Sequence, residues 1–205
     1  MPAAKSATFR EMRRRLALAC ALLVAGCAAG SLRPPDVRYE PTPMEVVGAM
    51  LELATLRPED VVADLGCGDG RLVIEAVRRG AARGLCVDID RDLIAKARDN
   101  ARAAGVADRI AFINQDLFTV DLRGVSVVTL FLSPHLNREL RSKLLRELAP
   151  GARVVSHWHY MGDWRPQRTL RLRPGSGRER PIYLWVIPSS PAPAAAPPRA
   201  SPEAR

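Results

Sequence analysis

Apolar positions along this chain follow two rhythms that alternate. Short runs rich in apolar and β-branched residues occur at "VVADL" (61–65), "GLCVDI" (84–89), "RIAFINQD" (109–116), "VSVVTLFL" (125–132) and "GARVVSHW" (151–158). Between them, apolar residues recur every three or four positions, the period of an amphipathic helix. Val46, Val47, Met50, Leu51 and Ala54 keep this spacing after "YEPTP" (39–43). A helix is expected there, with Thr42 as its cap, Pro43 in its first position and Glu45 completing a capping box. A second helix is expected from about Arg71 to Arg79, stopped by Gly80, and a third runs from an Asp90 cap to Gly105. A fourth covers "LNRELRSKLLREL" (136–148), after Pro134. The last two apolar runs, "TLRLR" (169–173) and "PIYLWVI" (181–187), flank a Pro/Gly turn and read as an antiparallel pair. Strands alternating with helices over short connections predict an α/β, Rossmann-like fold. Its seven-stranded sheet is mostly parallel, with helices on both faces and an antiparallel closing hairpin.

Composition confines this domain to residues 39–187. Residues 188–205, "PSSPAPAAAPPRASPEAR", have no periodicity and little to bury, so they read as a disordered tail. At the other end, Lys5, Arg10, Arg13, Arg14 and Arg15 precede the apolar core Leu16–Val24 and "VAGC" (24–27). This is the pattern of a secretory signal over residues 1–26, and the small residues ending at Cys27 resemble a bacterial lipobox. Cys27 would then carry lipid, residues 27–38 would be a linker, and the domain would be exported and membrane-anchored. Ordinary cleavage, an uncleaved anchor with a cytoplasmic domain, and a misassigned start are the alternatives. The apolar stretch Leu16–Gly30 is 15 residues, shorter than the roughly 20 that span a bilayer as a helix.

The leader holds +4 of the chain's +9 formal charge, and the mildly basic remainder does not by itself call for a nucleic-acid partner. Of four cysteines, Cys67 and Cys86 remain in the domain. A disulfide between them suits an oxidising compartment, but small apolar thiols at adjacent strand ends are the favoured reading.

The chemistry concentrates in the turn after the first strand. Gly66, Gly68 and Gly70 form G-x-G-x-G rather than the dinucleotide pattern G-x-G-x-x-G. Asp64 and Asp69 in this turn would repel a pyrophosphate and attract an ammonium or sulfonium. Asp88 ends the second strand 22 residues after Gly66, where a carboxylate can accept from both ribose hydroxyls. Asp116 follows the third strand, where it can accept from an adenine amine. Ribose, adenine and an ammonium without phosphate describe S-adenosylmethionine.

"VVADLGCGDGR", "CVDID" and "NQDLF" resemble the first three motifs of the class I S-adenosylmethionine-dependent methyltransferases. More narrowly, "YEPTP", "LFLSP" (130–134) and "GARVVS" with W-x-P (164–166) resemble one branch. It comprises membrane-associated protein-lysine methyltransferases related to mitochondrial enzymes that modify ATP synthase subunit c and the adenine nucleotide translocase. The likeness runs from about Tyr39 to Trp185. It implies that Asp64, Gly66 and Gly68 line the methionine moiety, Asp88 the ribose and Asp116 the adenine, with Tyr39 and Thr42 folding over the cofactor. It also implies a membrane-associated protein substrate. The eukaryotic members carry a Phe-Pro-rich stretch where this chain has "HWHYMGDW" (157–164), so the acceptor does not carry over.

On the substrate side, a lysine must attack as the neutral amine, which at pH 7 costs roughly 4 to 5 kcal/mol. Tyr39, Trp158, Tyr160 and Trp164 are expected to form an aromatic channel that lowers this cost. Ser133, Pro134 and Asn137 are candidates to hold the amine through backbone acceptors. His157 and His159 are expected on a polar rim, with Trp158 on the opposite, packed side. A general-base role for one of the histidines and a metal site with Asp163 are weaker readings, and no metal is expected. The arginine-rich segment from Arg153 to Arg180 reads as a solvated hairpin or as an attraction for anionic lipid. The competing functions are transfer to a small molecule or lipid, and an exported module that binds an adenosyl ligand without catalysis.

Overall fold

The computed structural model describes residues 34–175 and 177–189. The expected leader, Cys27 and the tail from 190 onward lie outside these residues. Seven strands form one sheet: β1 (Val61–Leu65), β2 (Arg83–Asp88), β3 (Ile110–Asn114), β4 (Val127–Leu130), β5 (Arg153–His157), β6 (Arg168–Leu172) and β7 (Arg180–Val186). Their order is β3-β2-β1-β4-β5-β7-β6. The first five are parallel, and β7 runs antiparallel to both β5 and β6. Strand order therefore reverses beside β1, between β2 and β4, and the parallel strands all point their carboxyl ends at one edge. A crevice outside that reversal is where open α/β sheets hold ligands.

Alternation within each strand divides the core. Val62, Val127 and Val155 pack with Val46, Met50 and Leu51 of α1 (Met44–Leu53) and with Leu72 and Ala76 of α2 (Arg71–Arg78). Val73, Val77, Ile94, Ala97 and Ala101, from α2 and α3 (Arg91–Ala103), continue this layer over Cys86 and Ile110. On the opposite face Ala63, Leu65, Val128, Leu130 and Val154 meet Leu136, Leu140 and Leu144 of α4 (Pro134–Glu147). There the segment between β3 and β4 covers the sheet with Leu117, Val120 and Leu122. A buried aliphatic side chain contributes about 1.5–3 kcal/mol, so these layers hold the strands in register and their carboxyl ends in line.

The caps show where local sequence is decisive. Asp90 accepts from the amides of Asp92 and Leu93 at the start of α3, and Ser133 caps α4 ahead of Pro134. At α1 the expectation is corrected: Pro43 is the N-cap and no side chain caps the helix. Thr42 is buried one residue earlier, and its carbonyl accepts from the Arg71 guanidinium at 2.9 Å.

A buried ion pair braces the amino-terminal edge of the sheet, opposite the crevice. Asp60, just before β1, pairs with Arg153 at the start of β5 and accepts from Ser126 Oγ at 2.7 Å and the Arg57 amide at 2.6 Å. Arg153 also donates to the carbonyls of Ala54 and Thr55 at 3.1 and 2.9 Å. One cluster thus joins the end of α1 to β1, β4 and β5.

Candidate active site

A cavity of about 430 Å3 opens at the carboxyl edge of β1, β2 and β4, within the usual size of a small-ligand site. Asp64, Asp88 and Asp116 all line it, one from each of three adjacent strand ends, together with Gly66, Tyr39 and Thr42. Gly68 does not line it but lies behind, its amide donating to Asp88 Oδ2 at 2.9 Å. The second Asp88 oxygen accepts from the Asp90 amide at 2.9 Å. Asp88 is thereby locked by backbone on both sides.

Asp64 is buried and takes a 2.8 Å hydrogen bond from Thr129 Oγ1 on β4. Burial, together with the nearby Asp88 and Asp69 charges, pushes its carboxyl up to about 7 against the Thr129 bond. Burial also raises Asp88, although the Asp90 and Gly68 amides resist. Such a pair is costly to ionise without a cation, and a cationic ligand would relieve that cost. Asp116 accepts from the Phe118 amide at 2.9 Å, which fixes the turn after β3.

The remaining wall comes from the chain ahead of α1. Pro35, Asp36, Val37 and Arg38, read from sequence as part of the linker, line the cavity. Asp69, ambiguous in sequence, secures this arm. Its oxygens accept from Arg71 Nε at 2.9 Å and Nη2 at 2.7 Å, and Arg71 reaches on to the Thr42 carbonyl. Burial pushes the Asp69 carboxyl up, but its bonds to Arg71 and that charge outweigh burial and hold it below the usual range. The Tyr39 hydroxyl also bonds to Asp69. The Tyr39 ring lies on Gly68, where a side-chain β-carbon would come within 2.4 Å of it, and Lys96 Nζ stands 5.8 Å from the ring centroid. Arg71, which lines the cavity, is a site residue that sequence reasoning missed, although it stands in "GDGR" two positions after Asp69.

Cys67, between the two glycines, also lines the cavity and is disulfide-bonded to Cys86 of β2. This corrects the expectation of two free thiols. Parallel pairing lays the turn after β1 over β2, where the Cys67 and Gly66 amides donate to the Val87 carbonyl. That leaves the two Cα atoms 5.3 Å apart, inside the range a disulfide spans.

On the substrate side the structure rearranges the expected residues. A second cavity of about 250 Å3 adjoins the first, sharing Glu40 and Phe131 with it, and is otherwise lined by Trp158, His159, Arg178 and Arg180. His157 is not on a rim: it is fully buried, 4.1 Å from the Phe131 ring centroid. Burial lowers its pKa to about 4, helped by Arg180 and His159. The alternation that would have paired the histidines ends at Trp158, whose φ is +73°. There the His159 amide turns back to the His157 carbonyl at 2.9 Å, and Trp158 joins the cavity wall instead of the packed side.

Ser133 and Pro134 serve as cap and first residue of α4 and line neither cavity. Asn137 is fully buried, donating to Ser156 Oγ at 3.0 Å and to the His159 carbonyl at 3.1 Å. It positions the segment after β5 rather than meeting substrate. Trp164 belongs to an aromatic cluster, 5.8 Å from Trp185, whose indole N–H donates to the Trp164 carbonyl. Tyr160 stacks on Tyr183 at 4.1 Å. Phe131, from "LFLSP", and Glu40, from "YEPTP", are the residues the sequence reading left without a role.

Comparison with known proteins agrees with this geometry. The family model described as the ANTKMT methyltransferase domain matches residues 64–168. A protein-lysine N-methyltransferase of Saccharolobus islandicus is 39% identical over 154 residues, 75% of this chain and 95% of its own length. The mouse adenine nucleotide translocase lysine N-methyltransferase is 33% identical over 204 residues, 90% of this chain and 83% of its own. Among solved structures, one described as an RNA methyltransferase from Salinibacter ruber, in complex with S-adenosyl-L-homocysteine, is 48% identical. It superposes with a TM-score of 0.71, covering 76% of this chain and 98% of that one.

Proposed function

Since the chain belongs to the ANTKMT methyltransferase domain family, and so is an S-adenosylmethionine-dependent methyltransferase of class I fold, we propose that it methylates a lysine of a membrane-associated protein. The observation that carries the lysine is the pair of relatives, archaeal and murine, that align over most of this chain and are both named for lysine. The membrane setting is supported by the leader pattern that ends at Cys27 and by the translocase in the mouse relative's name. The Cys67–Cys86 disulfide favours an oxidising, exported location over a cytoplasmic one.

The residues present fit the cofactor: a buried and a half-buried carboxylate, both with raised proton affinity, converge on a cavity of suitable volume. Asp64 would face the methionine ammonium, Asp88 would accept from the ribose hydroxyls, and Asp116 with Leu117 would flank the adenine. Tyr39, latched through Asp69 and Arg71, would close the arm over it. Bound there, S-adenosylmethionine would supply a methyl on a sulfonium, transferable to a lysine nitrogen with the C–S electron pair left on sulfur. The protein's part is alignment and exclusion of water. Phe131 and Leu132 provide the dry wall at the end of β4, and the methylated amine then gives its proton to solvent.

Transfer to RNA is a second reading, favoured by the description of the Salinibacter structure. The test is to incubate the purified full chain with methyl-labelled S-adenosylmethionine and the membrane, ribosomal and lipid fractions of a strain lacking the gene. Label recovered as methyl-lysine after acid hydrolysis of membrane protein is the expected result. Nuclease-sensitive label would transfer the assignment to RNA, and label confined to the lipid extract would transfer it to a lipid.

A further inference from the structure

The second cavity lies apart from the three strand-end aspartates, yet it abuts the cofactor cavity at Glu40 and Phe131, which line both. We infer that it is the acceptor port, shaped for a lysine side chain with an acidic residue beside it in sequence. Glu40 and Phe131 form its junction with the cofactor, and Arg178 and Arg180 form its charged rim. The inference rests on the lysine reading above and specifies the substrate class that reading leaves open.

Three features of the cavity support this assignment. Its walls are aromatic, with Phe131 on one side and Trp158 on another, and flat apolar surfaces suit the aliphatic stem of lysine. Its outer rim is cationic, with Glu40 as the one carboxylate in the lining. Arg178 and Arg180 both stand 5.7 Å from the Trp158 ring. Glu179 between them is turned away, held by Arg171 at 2.7 Å and Arg173 at 3.4 Å. Among the described residues no carboxylate forms an ion pair with Arg178 or Arg180.

Finally, the backbone here is held in a costly shape. Trp158 adopts a left-handed φ of +73°, and its amide is fixed to the Pro181 carbonyl at 2.8 Å. Strain of this kind persists where surrounding structure enforces it, often at ligand sites.

The electrostatics give the port a chemical purpose. Burial lowers the pKa of His159, and burial with Arg180 lowers that of His157, so this corner disfavours any added cation. A lysine ammonium entering it meets the same burial and the same guanidinium charge, which shifts it toward the neutral amine that transfer requires. The same rim would repel an isolated lysine, and an Asp or Glu near the target residue offsets this by pairing with Arg178 or Arg180. Glu40, the one carboxylate among the residues lining this cavity, opposes that shift at the junction, where an N–H donated to it would orient the amine toward the methyl.

Peptides of one scaffold, each with a single lysine and either acidic, neutral or basic residues two positions away on both sides, test the port with the full-length enzyme. Formation of S-adenosylhomocysteine gives KM and kcat. The acidic peptide is expected to have a KM about 5- to 10-fold below the neutral one, at similar kcat, and the basic peptide a KM above it. Arg178→Glu, at an exposed position, and Arg178→Glu with Arg180→Glu should progressively invert that order while the cofactor-dependent thermal shift persists. Equal KM values for the three peptides, or an order untouched by charge reversal, would overturn the port while leaving lysine methylation standing. Methylation of no peptide, with transfer to an RNA oligonucleotide instead, would remove the lysine reading and the port with it.

Discussion

Replacing Gly68 by valine is expected to weaken S-adenosylmethionine binding by at least about 100-fold without unfolding the domain. Gly68 has a φ of +54°, which costs an L-residue about 1–2 kcal/mol. A β-carbon there would also stand 2.4 and 2.9 Å from two atoms of the Tyr39 ring. The ring must leave, and with it goes the contact that keeps residues 35–39 over the cavity. The Gly68 amide would shift as well, freeing the Asp88 oxygen that it fixes. Gly124→Val supplies the comparison, because Gly124 has a φ of +82° but nothing within 4 Å of its added β-carbon. It should lose some stability and retain affinity. Calorimetric titration with thermal melting of both variants separates the backbone cost from the loss of the arm.

The other large effect is on stability. Arg153→Met leaves Asp60 buried beside Ser126 with its countercharge gone, and Asp60→Ala strands Arg153 in the same way. Breaking a buried pair from one side costs about 3–5 kcal/mol, which for a domain of this size lowers the melting temperature by about 10 °C or more. The double variant Asp60→Ala, Arg153→Met should cost less than the sum of the two, since no charge is left unpaired. Additive losses would mean that the two residues act separately. The cluster lies at the sheet edge away from the cavity, so surviving folded protein should bind cofactor normally.

The parts of this molecule set by local pattern were legible in its sequence. Strand and helix periodicity gave the alternation that builds the sheet, and the aspartates at three strand ends followed from the same register. Asp90 caps its helix because its side chain suits that role whatever surrounds it; Ser133, a substrate-side candidate by its place after β4, turns out to cap α4 for the same reason. What the sequence hid depends on pairing across the fold. Thr42 precedes a helix as a cap would, but Arg71 claims its carbonyl from another element. Cys67 and Cys86 look like two small apolar residues until parallel pairing brings their Cα atoms together.

The segment after β5 departs from its sequence pattern for one physical reason. Strict alternation puts His157 and His159 on one face, and nothing in the letters announces that Trp158 turns left-handed. An aromatic residue reads alike in a site and in a core, and here Trp185 holds Trp164 against the core. Arg71 was legible in part, since an arginine two residues after a turn carboxylate can fold back on it.

The most direct test is calorimetric titration of S-adenosylmethionine into the wild type and Asp64→Asn at pH 7.0 and pH 5.5. The free Asp64 carboxyl, held near 7 by burial, is protonated at the lower pH, whereas the cofactor's ammonium favours the ionised form. Binding therefore releases a proton, and affinity falls as pH drops below 7. The wild type should bind about 15-fold more weakly at pH 5.5 than at pH 7.0 through this one group. Asp88, raised in the same direction, adds to the slope, so the comparison with Asp64→Asn isolates the contribution of Asp64. The variant should bind more weakly at pH 7.0 and lose most of the pH dependence. Failure of the wild type to bind at pH 7.0, or an Asp64→Asn slope equal to that of the wild type, would contradict the assignment of this cavity's aspartate to the cofactor's ammonium.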